Sequence, residues 1–234
     1  NVEVTEELVR QAAVAGVSRF VHVSTIAAYG PPDRLLMDES HPVDPQQSST
    51  YGRTKAEGEL RAFQVAAEVG LPLTVIRPGM VYGPRSPGWT VRMLKLVQSR
   101  TPVVFGEGDG HAHPVFIDNL VDGLLLAATR PEAIGQAFNF VDAAITWRAF
   151  FDYYGAMAGR KSVRLPLWLA RVGLAVYKLV SGRQESGQEL LNYYTMKAVY
   201  PTGKAEQLLG YRPRVSLAEG MALAERWLRE QGYL

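Results

Sequence analysis

The chain has 234 residues, 47% of them apolar, with 22 glycines, 14 prolines and no cysteine. That apolar share builds a sizeable core and excludes a disordered or collagen-like chain, and the lack of cysteine excludes disulfides, thiolate metal sites and a cysteine nucleophile. Basic and acidic residues nearly cancel, 25 against 23, and no block of like charges is present to track a phosphate backbone, so nucleic acid is not an expected partner.

Residues Asn1 to Glu7 carry no initiator Met, no basic start and no apolar signal core. They run straight into a helical pattern, with Leu8, Val9, Ala12 and Ala13 on one face. A chain that opens inside a helix, with no strand before it, reads as a fragment. Gly16 stops this helix and Arg19–Val23 forms a short β-branched strand. A polar, Pro-rich loop from Tyr29 to Thr50 leads to a helix over 51–69, with Ser48, Ser49 and Thr50 as cap candidates and Gly70 as its stop. Leu73–Ile76 is the next strand, ended by Pro78-Gly79. Helices alternating with continuous apolar strands predict a parallel sheet covered on both faces.

Further along, helices are expected near 91–99 and 120–129, and strands at Val103–Phe105, Val115–Ile117 and Ala137–Val141. From Thr146 the chain reads as mostly helical, at about 146–158, 167–180, 186–197 and 216–230. The expected fold class is α/β: part of a Rossmann-type doubly wound parallel sheet, its Gly-rich opening unit absent, with a smaller, mostly helical substrate region. On this reading 1–85 and 113–144 belong to the sheet domain, 86–112 is an insertion, and 145–234 binds substrate. The apolar run 165–180 contains Arg171 and Lys178 and is too short and too charged to span a membrane. Arg164, Arg171 and Lys178 recur every seven residues as one basic stripe. Core packing or a lid over the substrate is the plain reading, and a helix resting on a membrane or admitting a lipophilic substrate is the alternative.

Tyr51-Gly-Arg-Thr-Lys55 places a phenol and an ammonium one turn apart at a helix start. A free tyrosine, with a pKa near ~10, is a poor base at neutral pH. A neighbouring cation favours its phenolate, which can then exchange a proton with an alcohol or carbonyl. Tyr193/Lys197 and Tyr200/Lys204 share the spacing, so context decides. Pro201 and Gly203 argue against a helical pair at Tyr200, and Tyr193 has no strand-end hydroxyls ahead of it. Tyr51 follows a strand ending in Ser24-Thr25 and precedes one ending in Arg77-Pro78-Gly79, and open parallel sheets bind ligands at the carboxyl ends of their strands.

The ordered motifs Asn1-Val-x-x-Thr5, Phe20-Val-His-Val-Ser-Thr-x-Ala-x-Tyr-Gly30, Tyr51-x-x-x-Lys55 and Arg77-Pro-Gly-x-Val-Tyr-Gly-Pro84 resemble the extended short-chain dehydrogenase/reductase family. Phe116–Leu120 and Lys204–Tyr211 resemble later landmarks, so the likeness spans almost the whole chain. By this resemblance Tyr51 is the general acid/base and Lys55 its partner, which also holds the nicotinamide ribose. Thr25 supplies the hydroxyl for the reacting oxygen, with threonine in place of the commoner serine, and Ser24 can share that work. Asn1 matches an asparagine that supports the lysine through water. Pro78, Gly79 and Val81 form the turn against the nicotinamide, where main-chain groups orient its carboxamide. The family's Gly-rich pyrophosphate loop, which also tells NAD from NADP, has no counterpart here, so both cofactors stay open.

The Leu165-Pro-Leu-Trp segment looks most like the branch of 3β-hydroxysteroid dehydrogenases and dihydroflavonol reductases. The resemblance therefore implies an NAD(P)-dependent oxidoreductase acting on an apolar secondary alcohol or ketone. The alternatives are a nucleotide-sugar epimerase or dehydratase, and a non-catalytic dinucleotide-binding module. Expected partners are a small-molecule substrate and a second copy of the chain. The expected setting is the cytoplasm, with membrane contact through 165–180 as a variant. Arg85 and Trp168 are further substrate candidates. Gly106-x-Gly-x-Gly110 lacks the following helix that a phosphate loop needs and reads as a turn or a loop over the substrate. His111 and His113 lack a third ligand, so no metal is expected. His22 reads as a packed or capping side chain.

Overall fold

The computed structural model describes residues 2–99, 103–173 and 186–234. In chain order the elements begin with α1 (Val2–Val14), β1 (Phe20–Val23), a 3-10 turn (Ile26–Tyr29), α2 (Thr50–Val69), β2 (Leu73–Pro78), β3 (Met80–Tyr82) and α3 (Arg92–Ser99). Next come β4 (Val103–Phe105), β5 (His111–Ala112), β6 (Pro114–Phe116), α4 (Ile117–Thr129), β7 (Ala137–Phe140), β8 (Ile145–Thr146) and α5 (Trp147–Ala158). The remainder holds β9 (Val163–Leu165), a helix over 167–173 (α6), α7 (Ser186–Thr195), α8 (Gly203–Leu209) and α9 (Leu217–Glu230). These elements gather into two compact units. Unit 1 comprises Asn1–Val81, Val115–Asp142 and Tyr200–Ser216, and unit 2 comprises Tyr82–Pro114, Ala143–Val199 and Leu217–Leu234.

In unit 1, β1, β2 and β7 form a parallel sheet in the order β1-β2-β7, with Val23 opposite Ile76 and Pro78 opposite Phe140. Every residue of β2 is buried, as expected of a strand covered on both faces. Side chains alternate along it. Leu73 and Val75 pack with Val9, Ala62, Val65 and Ala66 of α1 and α2. Ile76 packs on the other side with Leu120 and Ala127 of α4, Phe138 and Phe140, and Leu209 and Tyr211. A Cβ on Gly123 would lie 2.3 Å from Phe140 Cε1, so only glycine lets α4 seat this closely on β7.

Tyr200–Ser216 corrects the expected division. Placed with the C-terminal substrate region by sequence, this segment clusters with unit 1, because Ala205, Leu209 and Tyr211 complete the core over Phe138 and Phe140.

Unit 2 is built around aromatic side chains. Trp147 is buried, with Tyr194 at 4.6 Å, Tyr193 at 5.4 Å and Phe151 at 5.8 Å between ring centroids. Thr146 caps α5 by accepting the Ala149 N–H, and Tyr154 donates its hydroxyl to the Trp89 carbonyl. β4 pairs in parallel with β9, and β5 antiparallel with β8. Arg164 lies in β9 and pairs with Glu107 at 2.7 Å, so it does not share a helical stripe with Arg171. Lys178 and the rest of 174–180 fall outside the described residues. Among the described residues no helix is long and apolar enough to cross a membrane.

Candidate active site

Because β1, β2 and β7 run parallel, their carboxyl ends share one edge of the sheet. Ser24 continues β1 there, its N–H donating to Ile76 O at 2.8 Å. Its hydroxyl is buried and has no hydrogen-bond partner. Thr25 is extended, and its Oγ1 accepts the Ala27 N–H at 3.2 Å to cap the 3-10 turn. That bond uses an oxygen lone pair and leaves the Thr25 O–H proton free to donate elsewhere.

Tyr51 and Lys55 occupy the first two turns of α2. Ser49 is the N-cap chosen from the three candidates, accepting the Gly52 N–H at 3.2 Å. Tyr51 is 56% exposed and available to an incoming group. Lys55 reaches back to β1, donating to Val23 O at 2.9 Å, and partial burial lowers its pKa. Two of its three N–H bonds remain for a ligand. The helix start therefore lies over the end of β1, and it brings Tyr51 and Lys55 to the edge that carries Ser24 and Thr25.

The remaining predicted residues divide. Pro78 closes β2, and Gly79 donates its N–H to Phe140 O at 3.0 Å. That N–H is committed to the sheet. Val81 ends the unit 1 segment. Arg85 and Trp168 lie in unit 2, both exposed, and Arg85 holds a φ of +66°. The rival pairs fail on geometry. α7 ends at Thr195, so Lys197 lies beyond it and pairs with Asp109 at 2.5 Å. Tyr200 is buried against Tyr29, with its phenol pushed up to about 12, and α8 begins only at Gly203.

His111 and His113 both turn ring nitrogens to the Ala198 carbonyl, at 3.3 and 2.8 Å. Among the described residues no group of three or more metal-ligating side chains occurs. His22 is packed rather than capping: its Nε2 has no partner, and burial together with the nearby Lys55 charge lowers its pKa.

Residues 1–140 match the NAD dependent epimerase/dehydratase family. The chain belongs to that family. It is 27% identical over 221 residues to the UDP-glucose 4-epimerase of Vibrio cholerae, covering 94% of this chain and 66% of that protein. Against 3beta-hydroxysteroid-dehydrogenase/decarboxylase isoform 1 of Arabidopsis thaliana the identity is 25% over 250 residues, covering 94% and 55%. A solved structure of the dTDP-glucose 4,6-dehydratase DesIV from Streptomyces venezuelae, with NAD and TYD bound, superimposes with a TM-score of 0.76 at 26% identity. That alignment covers 100% of this chain and 67% of the other. The chain thus spans about two thirds or less of the length of these proteins, and its fold is the Rossmann-like α/β fold of the family.

In this family member a buried network behind the edge was not anticipated. Arg77 is fully enclosed in β2 and forms a bidentate pair with Glu59 of α2. It also donates to the Tyr29 hydroxyl at 2.6 Å, and Tyr29 in turn donates to Asn139 Oδ1 at 3.0 Å. Glu39 accepts the Asn139 N–H at 2.7 Å, tying the Pro-rich loop to β7. Burial raises the Glu39 carboxyl and pushes the Tyr29 phenol up to about 12. A charged residue inside an otherwise apolar strand was the signal for this network, since a buried arginine requires a buried carboxylate.

Proposed function

We propose that the chain carries the acid/base site of an NAD(P)-dependent oxidoreductase acting on the secondary alcohol or ketone of an apolar substrate. One observation carries this reading: Lys55, on the same helix start as the exposed Tyr51, donates to Val23 O, next to Ser24 and Thr25 at the carboxyl edge of a parallel sheet. The residues fit a dinucleotide, since Lys55 keeps two N–H donors and the buried Ser24 hydroxyl has no partner within the protein. Lys55 would hold the nicotinamide ribose, and the Pro78–Val81 turn would lie against the ring. The bound cofactor supplies the hydride donor or acceptor.

The chain's own residues handle the oxygen. Thr25 donates its free O–H proton to the substrate oxygen and orients it. Tyr51 gives that oxygen a proton in reduction and removes it in oxidation. The Lys55 charge and the N-terminus of α2 stabilise the negative charge left on the phenol oxygen. The apolar substrate class is supported by the Arabidopsis relative, which is named as a 3beta-hydroxysteroid-dehydrogenase/decarboxylase.

A second reading, a nucleotide-sugar epimerase or dehydratase, is favoured by the names of the Vibrio and Streptomyces relatives. The test offers NAD and NADP with 3β-hydroxysteroids and hydroxyketones, and separately with UDP-glucose and dTDP-glucose. A net change in cofactor absorbance with the first set supports the dehydrogenase. A changed sugar with no net cofactor change supports the epimerase or dehydratase. Tight dinucleotide binding without turnover of either set would overturn both.

A further inference from the structure

We propose that Gln47 is a positioning residue, which sets how deeply the first turn of α2 seats on the Thr25–Tyr29 turn and thereby fixes Tyr51 relative to Thr25. The proposal rests on the acid/base reading of Tyr51. Gln47 lies in the polar approach to α2, yet it is only 6% exposed. Its Nε2 faces three main-chain carbonyls, those of Ala27 at 3.0 Å, Ala28 at 3.2 Å and Asp44 at 3.0 Å. Three acceptors around one nitrogen fix the orientation of the amide, because its oxygen in that place would meet only other oxygens.

The amide oxygen therefore points the other way, against Gly52. A Cβ on Gly52 would stand 2.1 Å from Gln47 Oε1 and 2.7 Å from the Ala27 carbonyl oxygen. The helix start thus sits in contact with both the Gln47 amide and the turn that this amide grips. Ala27 closes the chain of contacts. Its carbonyl accepts from Gln47, and its N–H donates to Thr25 Oγ1. Tyr51 precedes Gly52 directly. One buried amide therefore links the turn that orients the Thr25 hydroxyl to the backbone that carries the phenol. Catalysis of this type is sensitive to displacement, and a shift of about 1 Å can cost about a hundredfold.

The variants are Gln47→Met, which keeps the length and loses the donors, and Gly52→Ala, whose methyl must push the helix off a main-chain oxygen. Thr74→Val is the control. It removes a buried hydrogen bond to Ala133 O, made at 2.8 Å in the same unit, and so lowers stability away from the site. With 3β-hydroxysteroid and NAD as probes, Gln47→Met and Gly52→Ala are expected to lower kcat about ten- to a hundredfold. KM should stay within about threefold, and Thr74→Val should keep its kcat.

A substrate-free arm follows ionisation of Tyr51 alone, by subtracting the near-ultraviolet pH titration of each protein's Tyr51→Phe version. The step is expected to move in Gln47→Met and to stay in place in Thr74→Val. Full kcat in Gln47→Met, where Tyr51→Phe abolishes turnover, overturns the positioning role. Retained turnover in Tyr51→Phe instead overturns the acid/base reading. The titration then decides the positioning role by itself, and an unmoved Tyr51 step in Gln47→Met overturns it.

Discussion

At the scale of single residues, three tyrosines with a lysine four positions on are separated by their surroundings. Tyr51→Phe keeps the ring and removes the oxygen, so turnover should fall by about two to four orders of magnitude with the fold intact. Lys55→Met should lose as much and also weaken NAD binding, measured by titration, because its spare donors go too. Thr25→Val should lower turnover less severely if the Ser24 hydroxyl takes over. Tyr193→Phe and Tyr200→Phe should stay within a few-fold. His113 gives a different residue-level expectation. It is 2% exposed, and burial holds its imidazole down to about 4 from the ordinary 6.5. Between those values the unfolded chain binds more protons than the folded one, so stability present above pH 6.5 drains away as pH falls toward 4. The full loss is about 3 kcal/mol. Denaturant unfolding across this range should show a shallower acid slope in His113→Gln, which keeps a donor for Ala198 O. An unchanged slope would mean that His113 is not the group responsible.

At the scale of elements, α2 is held to β2 by the Glu59–Arg77 pair, whose side chains are 1% and 7% exposed. Leaving one buried charge alone is expensive, so Arg77→Met should cost about 3–5 kcal/mol in denaturant unfolding. Removing both charges in Glu59→Met/Arg77→Met should cost less than that single change. A double variant less stable than Arg77→Met would show that the pair itself is not the source of the loss. The same two elements show what was legible beforehand. α2 announced itself through its cap residues and Gly70, and β2 through a continuous apolar run, because both signals are local. Gln47 carried no such signal, since its sequence surroundings are like those of Gln46, and only folding buries one of the two neighbours. β5 and β8, two residues each, are too short to show any periodicity, and α8, which starts at Gly203 two residues after Pro201, is too short and too close to the proline to stand out. Of the site, the hydroxyls, phenol and ammonium were readable from motif order. Of the Glu39–Asn139–Tyr29–Arg77 network only the arginine in an apolar strand was a signal, because its partners lie as many as 110 residues apart.

At the scale of the whole molecule, the chain is divided between two compact units. Replacing Trp168 and Leu169 in unit 2 with Ser should raise KM for a 3β-hydroxysteroid well before it changes NAD affinity. Equal loss of both would mark α6 as ordinary packing. The division also interleaves the chain, since unit 1 is assembled from three separate stretches. The ribosome makes them in order. Phe138 and Phe140 emerge about seventy residues before Leu209 and Tyr211, the side chains that cover them. At ordinary elongation rates that gap lasts roughly 4–14 s. For that interval the growing polypeptide has α4 against these aromatic rings but lacks Leu209 and Tyr211, so their cover is incomplete. A nascent chain halted near residue 195 should therefore be a better client for a hydrophobic-binding chaperone than the finished protein.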